Sequence, residues 1–167
     1  TLGVLETIDR LRGEAYVPSN GAEYPQGDFA RSLREIARIL KAEVGMEVAC
    51  LDLGGWDTHF VQGGPSGLQA GLMRELAGGI AAFRADLGER MKKVCVVAMT
   101  EFGRRTYENV SLGTDHGRGS GMFLLGGGIA GGRVLAQWPS LAAENLEGPG
   151  DLQVTTADWV IALWHRP

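Results

Sequence analysis

The sequence predicts a single α/β domain spanning all 167 residues, and three observations carry that reading. Two short apolar runs, Glu47–Leu53 and Lys93–Met99, read as buried strands. Between them, from about Leu68 to Glu89, Leu72, Leu76, Ile80, Phe83 and Leu87 recur at helical spacing. A helix joining two buried strands is a βαβ unit, which predicts a parallel pair. Both runs then pass directly into polar loops, the position where open α/β sheets bind ligands.

The remaining elements follow in chain order. Leu2–Leu11 is weakly helical. The turn formers Pro18-Ser19-Asn20-Gly21 and Pro25-Gln26-Gly27 mark a loop. Asp28 reads as the N-cap of a helix over about Phe29–Val44, with Phe29, Leu33, Ile36, Ala37, Ile39 and Leu40 on one stripe and Gly45 as its stop. Gly78-Gly79 inside the long helix marks either a weak point or close packing. Thr100–Gly121 reads as loop. Met122–Leu125 and Arg133–Ala136 read as two short strands joined by a glycine-rich turn, and Thr156–Trp164 as a short helix.

Composition narrows the function. Sixteen basic residues face twenty acidic ones, and no basic block stands out, so nucleic acid is not an expected partner. No apolar run approaches the roughly 18 residues needed to span a membrane. Cys50 and Cys95 sit in the two apolar runs and are expected to be buried small hydrophobes. The 26 glycines cluster around Gly54, Gly63, Gly117 and Gly126, where the chain must bend tightly or approach something closely. The chain begins at Thr1 without a methionine and reads as a fragment or a processed product.

The chemistry-bearing residues concentrate in three loops. Asp57 and His59 are two apart, so an extended backbone points both to one side, and carboxylate plus imidazole suits zinc, manganese or iron. Read blandly, Asp57 caps a turn and His59 is exposed. Asp52 is a further ligand or a carboxylate that orients His59. Asp115-His116 is a second acid–imidazole pair, or an Asx-turn before a flexible glycine loop. Glu101 adds a carboxylate, and Arg104-Arg105 form an anion clamp or a solvated pair. His165 reads as surface. The string Gly126–Gly131 satisfies GxGxxG, but Gly132, Arg133 and Pro139 follow where a helix is required, so a glycine-rich hairpin and no dinucleotide site is expected. Ser120 with His116 and Asp115 imitates a triad, but neighbours in sequence rarely aim at one another. The expected centre is therefore a metal site on Asp57, His59, Asp115 and His116 with Glu101 nearby.

The strings GGWDTH at Gly54–His59, TEFGRR at Thr100–Arg105 and ENVSLGTDHGRGS at Glu108–Ser120 resemble an uncharacterised bacterial family, the domain-of-unknown-function family numbered 1501. ARSLREIARIL, AAFRADLG and LLGGGIAGGRV add to the likeness, which covers about residues 24–156.

The resemblance implies the alkaline-phosphatase-like superfamily, which holds phosphatases, sulfatases and cofactor-independent phosphoglycerate mutases. The implied fold is a three-layer sandwich on a mainly parallel sheet, here incomplete. In that superfamily two metal ions sit at the carboxyl ends of strands. One is held by an Asp and a His from one loop and a later His, which maps onto Asp57, His59 and His116. The other uses an Asp–His pair where this chain has Glu101-Phe102, so Asp115 or Glu101 is left to compensate. The implied cofactor is a divalent ion: zinc, manganese or magnesium. The implied activity is hydrolysis of a phosphate or sulfate ester; the alternative is a degenerate, non-catalytic binding domain at the cell envelope. Relatives carry the nucleophile in an N-terminal half that nothing here matches, so the chain is expected to be the C-terminal part of a longer protein. Family members often have a twin-arginine export signal, which implies an exported or periplasmic origin.

Overall fold

A computed structural model describes residues 11, 13, 15–136, 138–148, 150–153 and 160–164. The expected helix at Leu2–Leu11 and His165 lie outside or almost wholly outside these residues. The chain divides into two compact units, Thr1–Gly55 with Gly71–Glu89, and Trp56–Ala70 with Arg90–Pro167. Among the described residues no helix is long and apolar enough to cross a membrane.

The first unit is helical. Helix α1 (Asp28–Lys41) starts one residue earlier than its apolar stripe requires, because Gly27 is the capping position and Asp28 enters the first turn, where it pairs with Arg31. It stops at Lys41 rather than Val44: Glu43 and then Gly45 take positive φ and turn the chain away. Phe29, Ala30, Leu33 and Ala37 are its buried face. Helix α2 (Leu68–Leu87) buries Gly79, Ile80, Ala82, Phe83, Asp86 and Leu87. Gly79 marks close packing: a Cβ there would lie 2.8 Å from the Phe29 ring and 3.1 Å from Leu33. Among the described residues, the buried apolar side chains other than Met91 and Leu152 lie on these two helices.

One carboxylate anchors this unit. Asp86 is buried and accepts bonds from the hydroxyls of Tyr16 (2.7 Å) and Tyr24 (2.9 Å), the amide of Ser19 (2.6 Å) and the ammonium of Lys41. Burial pushes its carboxyl up, but Lys41, Tyr16, Ser19 and Tyr24 together hold it below the usual carboxylate range. The same burial, together with the bond to Asp86, raises both tyrosines.

The run Glu47–Leu53 forms no strand. A strand exists only as a paired strand, and Val48 is 79% exposed where a buried one was expected. The parallel βαβ pair expected from it is therefore not formed. Cys50 and Cys95 are free and exposed, not buried.

The second unit carries the sheets. A short 3-10 segment (Gly88–Lys93) leads into β1 (Cys95–Met99). Where a loop was expected, β2 (Gly103–Glu108) and β3 (Thr114–Gly117) form an antiparallel hairpin with an irregularity between Arg104 and Glu108. The strands β4 (Gly121–Gly126), β5 (Arg133–Leu135), the two-residue β6 (Leu146–Glu147) and β7 (Asp151–Leu152), and β8 (Val160–Trp164) complete it. The main sheet has the order β1-β4-β8-β5, antiparallel except for the parallel β4–β8 pair. Two expectations are corrected here. Val160–Trp164 is strand, not helix, since a short apolar run fits either. And β4 and β5 are not hairpin partners, because β8 lies between them.

Candidate metal centre

The centre lies within the second unit, on the segment after Trp56 and on the β2–β3 hairpin. The segment is wound tightly: the amides of Thr58 and His59 donate to the carbonyls two residues back, at 2.8 and 3.2 Å. It runs beside the hairpin loop. Val61 and Gln62 donate to Ser111 and Leu112, Thr114 donates to Thr58, and Phe60 bridges Leu112. This approach needs Gly113, since a Cβ there would lie 2.3 Å from the His59 carbonyl carbon. The Gln62 amide oxygen accepts from the hydroxyls of both Thr58 (2.9 Å) and Thr114 (2.8 Å), and so ties one strand of the pair to the other.

Two imidazoles and a carboxylate converge on this frame. Asp57 Oδ1 lies 3.0 Å from His59 Nε2 and 2.8 Å from His116 Nε2, which is 59 positions away in sequence. One donor atom from each of the three lies within 4.8 Å of the others. The His59 and His116 rings stack at 4.9 Å between centroids, and Phe102 stacks on His116 at 4.3 Å and 9°. The His116 bond holds the Asp57 carboxyl below the usual range against desolvation, with the charges of His59, His116 and Arg104 adding to it. The Asp57 side chain is exposed.

The other expected residues fall around this set. Asp115 stands behind His59: its Oδ1 lies 3.2 Å from His59 Nδ1, the ring nitrogen that is not directed at Asp57. Its carboxyl is held low by the Asn109 amide first and then by His59. Arg104, expected in an anion clamp, spends its guanidinium on the carbonyls of Trp56 (2.6 Å) and Thr114 and reaches Asp57 Oδ1 at 3.3 Å. It holds the frame together, because its side chain is directed inward from β2. Arg105 approaches Asp115 Oδ2 at 3.9 Å, and its Nε is buried without a partner. Glu101 is exposed and outside the three-residue set, and Asp52 is exposed in the other unit.

Three residues of the frame were not singled out from sequence. Gln62 and Phe102 carry no pattern that marks them. Asn109 does: its side-chain oxygen accepts the amides of Ser111 (2.9 Å) and Gly113 (3.0 Å), the Asx-type turn that an Asn opening a Gly-containing loop predicts.

Two imidazole nitrogens and a carboxylate oxygen facing one point suit a divalent transition ion with coordination positions left open. No curated protein and no solved structure matches the chain. Residues 13–159 match the family described as "Protein of unknown function (DUF1501)", and the chain belongs to that family.

Proposed function

We propose that this chain supplies the metal-binding part of a hydrolase of phosphate or sulfate esters, with Asp57, His59 and His116 as the ligands of one divalent ion. The observation that carries the reading is the convergence of three donor atoms within 4.8 Å of one another, from Asp57 and His59 on one segment and His116 on another, 59 positions from Asp57. The donor set fits such an ion in number and chemistry: two imidazole nitrogens and a carboxylate held below the usual range by its neighbours. Zinc, manganese or magnesium bound there would supply Lewis acidity and an activated water. The protein's part is to hold the ligands. Phe102 stacks on the ring of His116, and Arg104 ties the Trp56 carbonyl beside Asp57 to the Thr114 carbonyl of the hairpin.

Placement in the alkaline-phosphatase-like superfamily, on a mainly parallel three-layer sandwich, belongs to the same proposal, as does an exported setting. The parallel β4–β8 pair speaks for it and the two antiparallel pairs of the main sheet do not.

A second reading, an ion-binding domain without catalysis, is favoured by one observation. Hydroxyls of the loops around the set are committed: Thr58 and Thr114 to Gln62, and Thr100 to Ser120. A covalent mechanism requires an activated, accessible nucleophile.

The test titrates the chain with zinc, manganese and magnesium and assays a chromogenic phosphate ester and a sulfate ester. The expected outcome is ion binding with little turnover by this chain alone, with binding weakened at least about 100-fold in His116→Ala. Metal-dependent turnover abolished by His116→Ala would establish hydrolysis and sink the second reading. Absence of ion binding would sink both.

A further inference from the structure

We propose that Asn20 is a site of spontaneous amide loss, and that the change destabilises the helical unit because the lost amide caps the carboxyl end of α2. The site involves only residues of that unit and does not depend on the ion-binding reading.

Asn20 and Gly21 are the central residues of a tight turn in which the Ala22 amide donates to the Ser19 carbonyl at 3.0 Å. Both take positive φ, 55° and 65°. That backbone favours Asn-Gly, since asparagine tolerates the left-handed region and glycine enters it freely. The turn therefore selects a dipeptide whose own chemistry is unstable. With no side chain on Gly21, its backbone nitrogen can reach the side-chain carbonyl carbon of Asn20. Both residues are exposed, and a Cβ built on Gly21 would meet nothing within 4 Å. A solvent base takes the proton of the Gly21 amide and the nitrogen attacks Cγ. The Cγ–Nδ2 bond breaks, and ammonia leaves with a proton from solvent. Water then opens the cyclic imide, so the net change is amide plus water to carboxylate plus ammonium. Opening at Cγ gives aspartate; opening at the main-chain carbonyl leaves the chain routed through Cβ as isoaspartate.

The amide at risk is in use. Asn20 Nδ2 donates to the Ala85 carbonyl at 2.9 Å. Ala85 belongs to the last turn of α2, whose carbonyls have no partner within the helix. The Ser19 amide donates to Asp86 Oδ1 at 2.6 Å, so two consecutive residues of the turn engage two consecutive residues of the helix. The seat is close: a Cβ on Gly88 would lie 2.8 Å from Asn20 Nδ2. After amide loss the position holds a carboxylate, which accepts and donates nothing. It then faces a carbonyl at the negative end of the helix dipole, next to Asp86 in sequence. Isoaspartate also lengthens the backbone and alters the reach of Ser19 toward Asp86. Asn109 and Asn145 offer a contrast within the chain. Val110 and Leu146 follow them, and those side chains crowd the attacking nitrogen. Each of their amide nitrogens donates to two partners: His59 and Asp115 for Asn109, Pro139 and Ser140 for Asn145.

The experiment incubates the full chain at mildly alkaline pH and follows its peptides by mass spectrometry, with isoaspartate read by enzymatic methylation. Asn20 should convert to the acid first, while Asn109 and Asn145 keep their amides. Gly88→Ala, which crowds Nδ2 away from Ala85 and leaves the Asn-Gly pair intact, should speed the loss several-fold. In urea unfolding, Asn20→Asp should lower the midpoint more than Asn20→Ala, and added salt should narrow that gap. Equal amide loss at Asn20, Asn109 and Asn145 would overturn the proposal. So would retention of the Asn20 amide over a period in which a peptide of residues 16–24 loses its own, or a folded Gly88→Ala that reacts no faster than the parent. Equal midpoints for Asn20→Asp and Asn20→Ala would remove the effect on the helical unit. If Gly88→Ala does not fold, the parent time course and the two Asn20 variants still decide.

Discussion

Asp86 in the helical unit and Asp57 in the sheet unit are both carboxylates held low by surrounding donors, yet they do opposite work. Asp86 is buried and divides its bonds between both oxygens: Ser19 and Lys41 on Oδ1, Tyr16 and Tyr24 on Oδ2. Nothing remains for a ligand, and the group anchors the fold. Asp57 is 60% exposed and gathers two imidazoles and a guanidinium on Oδ1 alone. A saturated carboxylate is architecture, whereas one loaded on a single side is a candidate site. Four donors cover both oxygens of Asp86, whereas the three at Asp57 converge on one.

The largest effect should come from breaking the saturated member. Asp86→Ala leaves the Lys41 ammonium, 16% exposed, without its counter-charge and two tyrosine hydroxyls without an acceptor. Breaking a buried pair on one side costs about 3–5 kcal/mol. Urea unfolding should show a loss of that size, whereas His116→Ala, at the exposed site, should change the unfolding midpoint little. Equal losses in the two variants would erase the distinction.

A smaller effect tests the packing around the anchor. Gly79→Ala gains helix propensity worth about 1 kcal/mol. It also drives a methyl to 2.8 Å from the Phe29 ring, and overpacking of this kind costs about 1–3 kcal/mol. A net loss of about 1 kcal/mol is expected in the same unfolding assay; a gain would show that α1 and α2 part easily.

Acid gives the smallest and most graded test. The folded carboxyl of Asp86 is held below its unfolded value, so its contribution is complete above about pH 4 and is lost as pH falls through the lower folded value. Stability of the parent should therefore drop below about pH 4, and Asp86→Asn should show a shallower drop over the same range. Parallel curves would assign the acid sensitivity elsewhere.

The two carboxylates were unequally legible in sequence. Asp57 declares itself through a histidine two residues on, and the Asp115-His116 pair echoes it, so the grouping of acids and imidazoles was readable before its geometry. What spacing could not convey was direction: Asp115 and His116 are neighbours, yet on the antiparallel hairpin one stands behind His59 and the other faces Asp57. Asp86 looks like any polar position on a helix, because its four partners come from residues 16–41. The helices were readable because their apolar stripes repeat over several turns. Strand pairing was not, since an apolar run reports hydrophobicity and says nothing about which edge receives it. Thus Glu47–Leu53 remained unpaired and Val160–Trp164 became the strand that separates β4 from β5.

The distance along the chain between Asp57 and His116, 59 positions, has a consequence for folding. Closing a loop costs chain entropy that rises only about 0.6 kcal/mol for each doubling of its length. An ion gripped from both ends of such a loop is a removable cross-link. At a free concentration about 100 times its dissociation constant it adds about 2.7 kcal/mol to the folded state. On the ion-binding reading proposed above, the stability of the folded sheet unit would rise and fall with the free concentration of the ion.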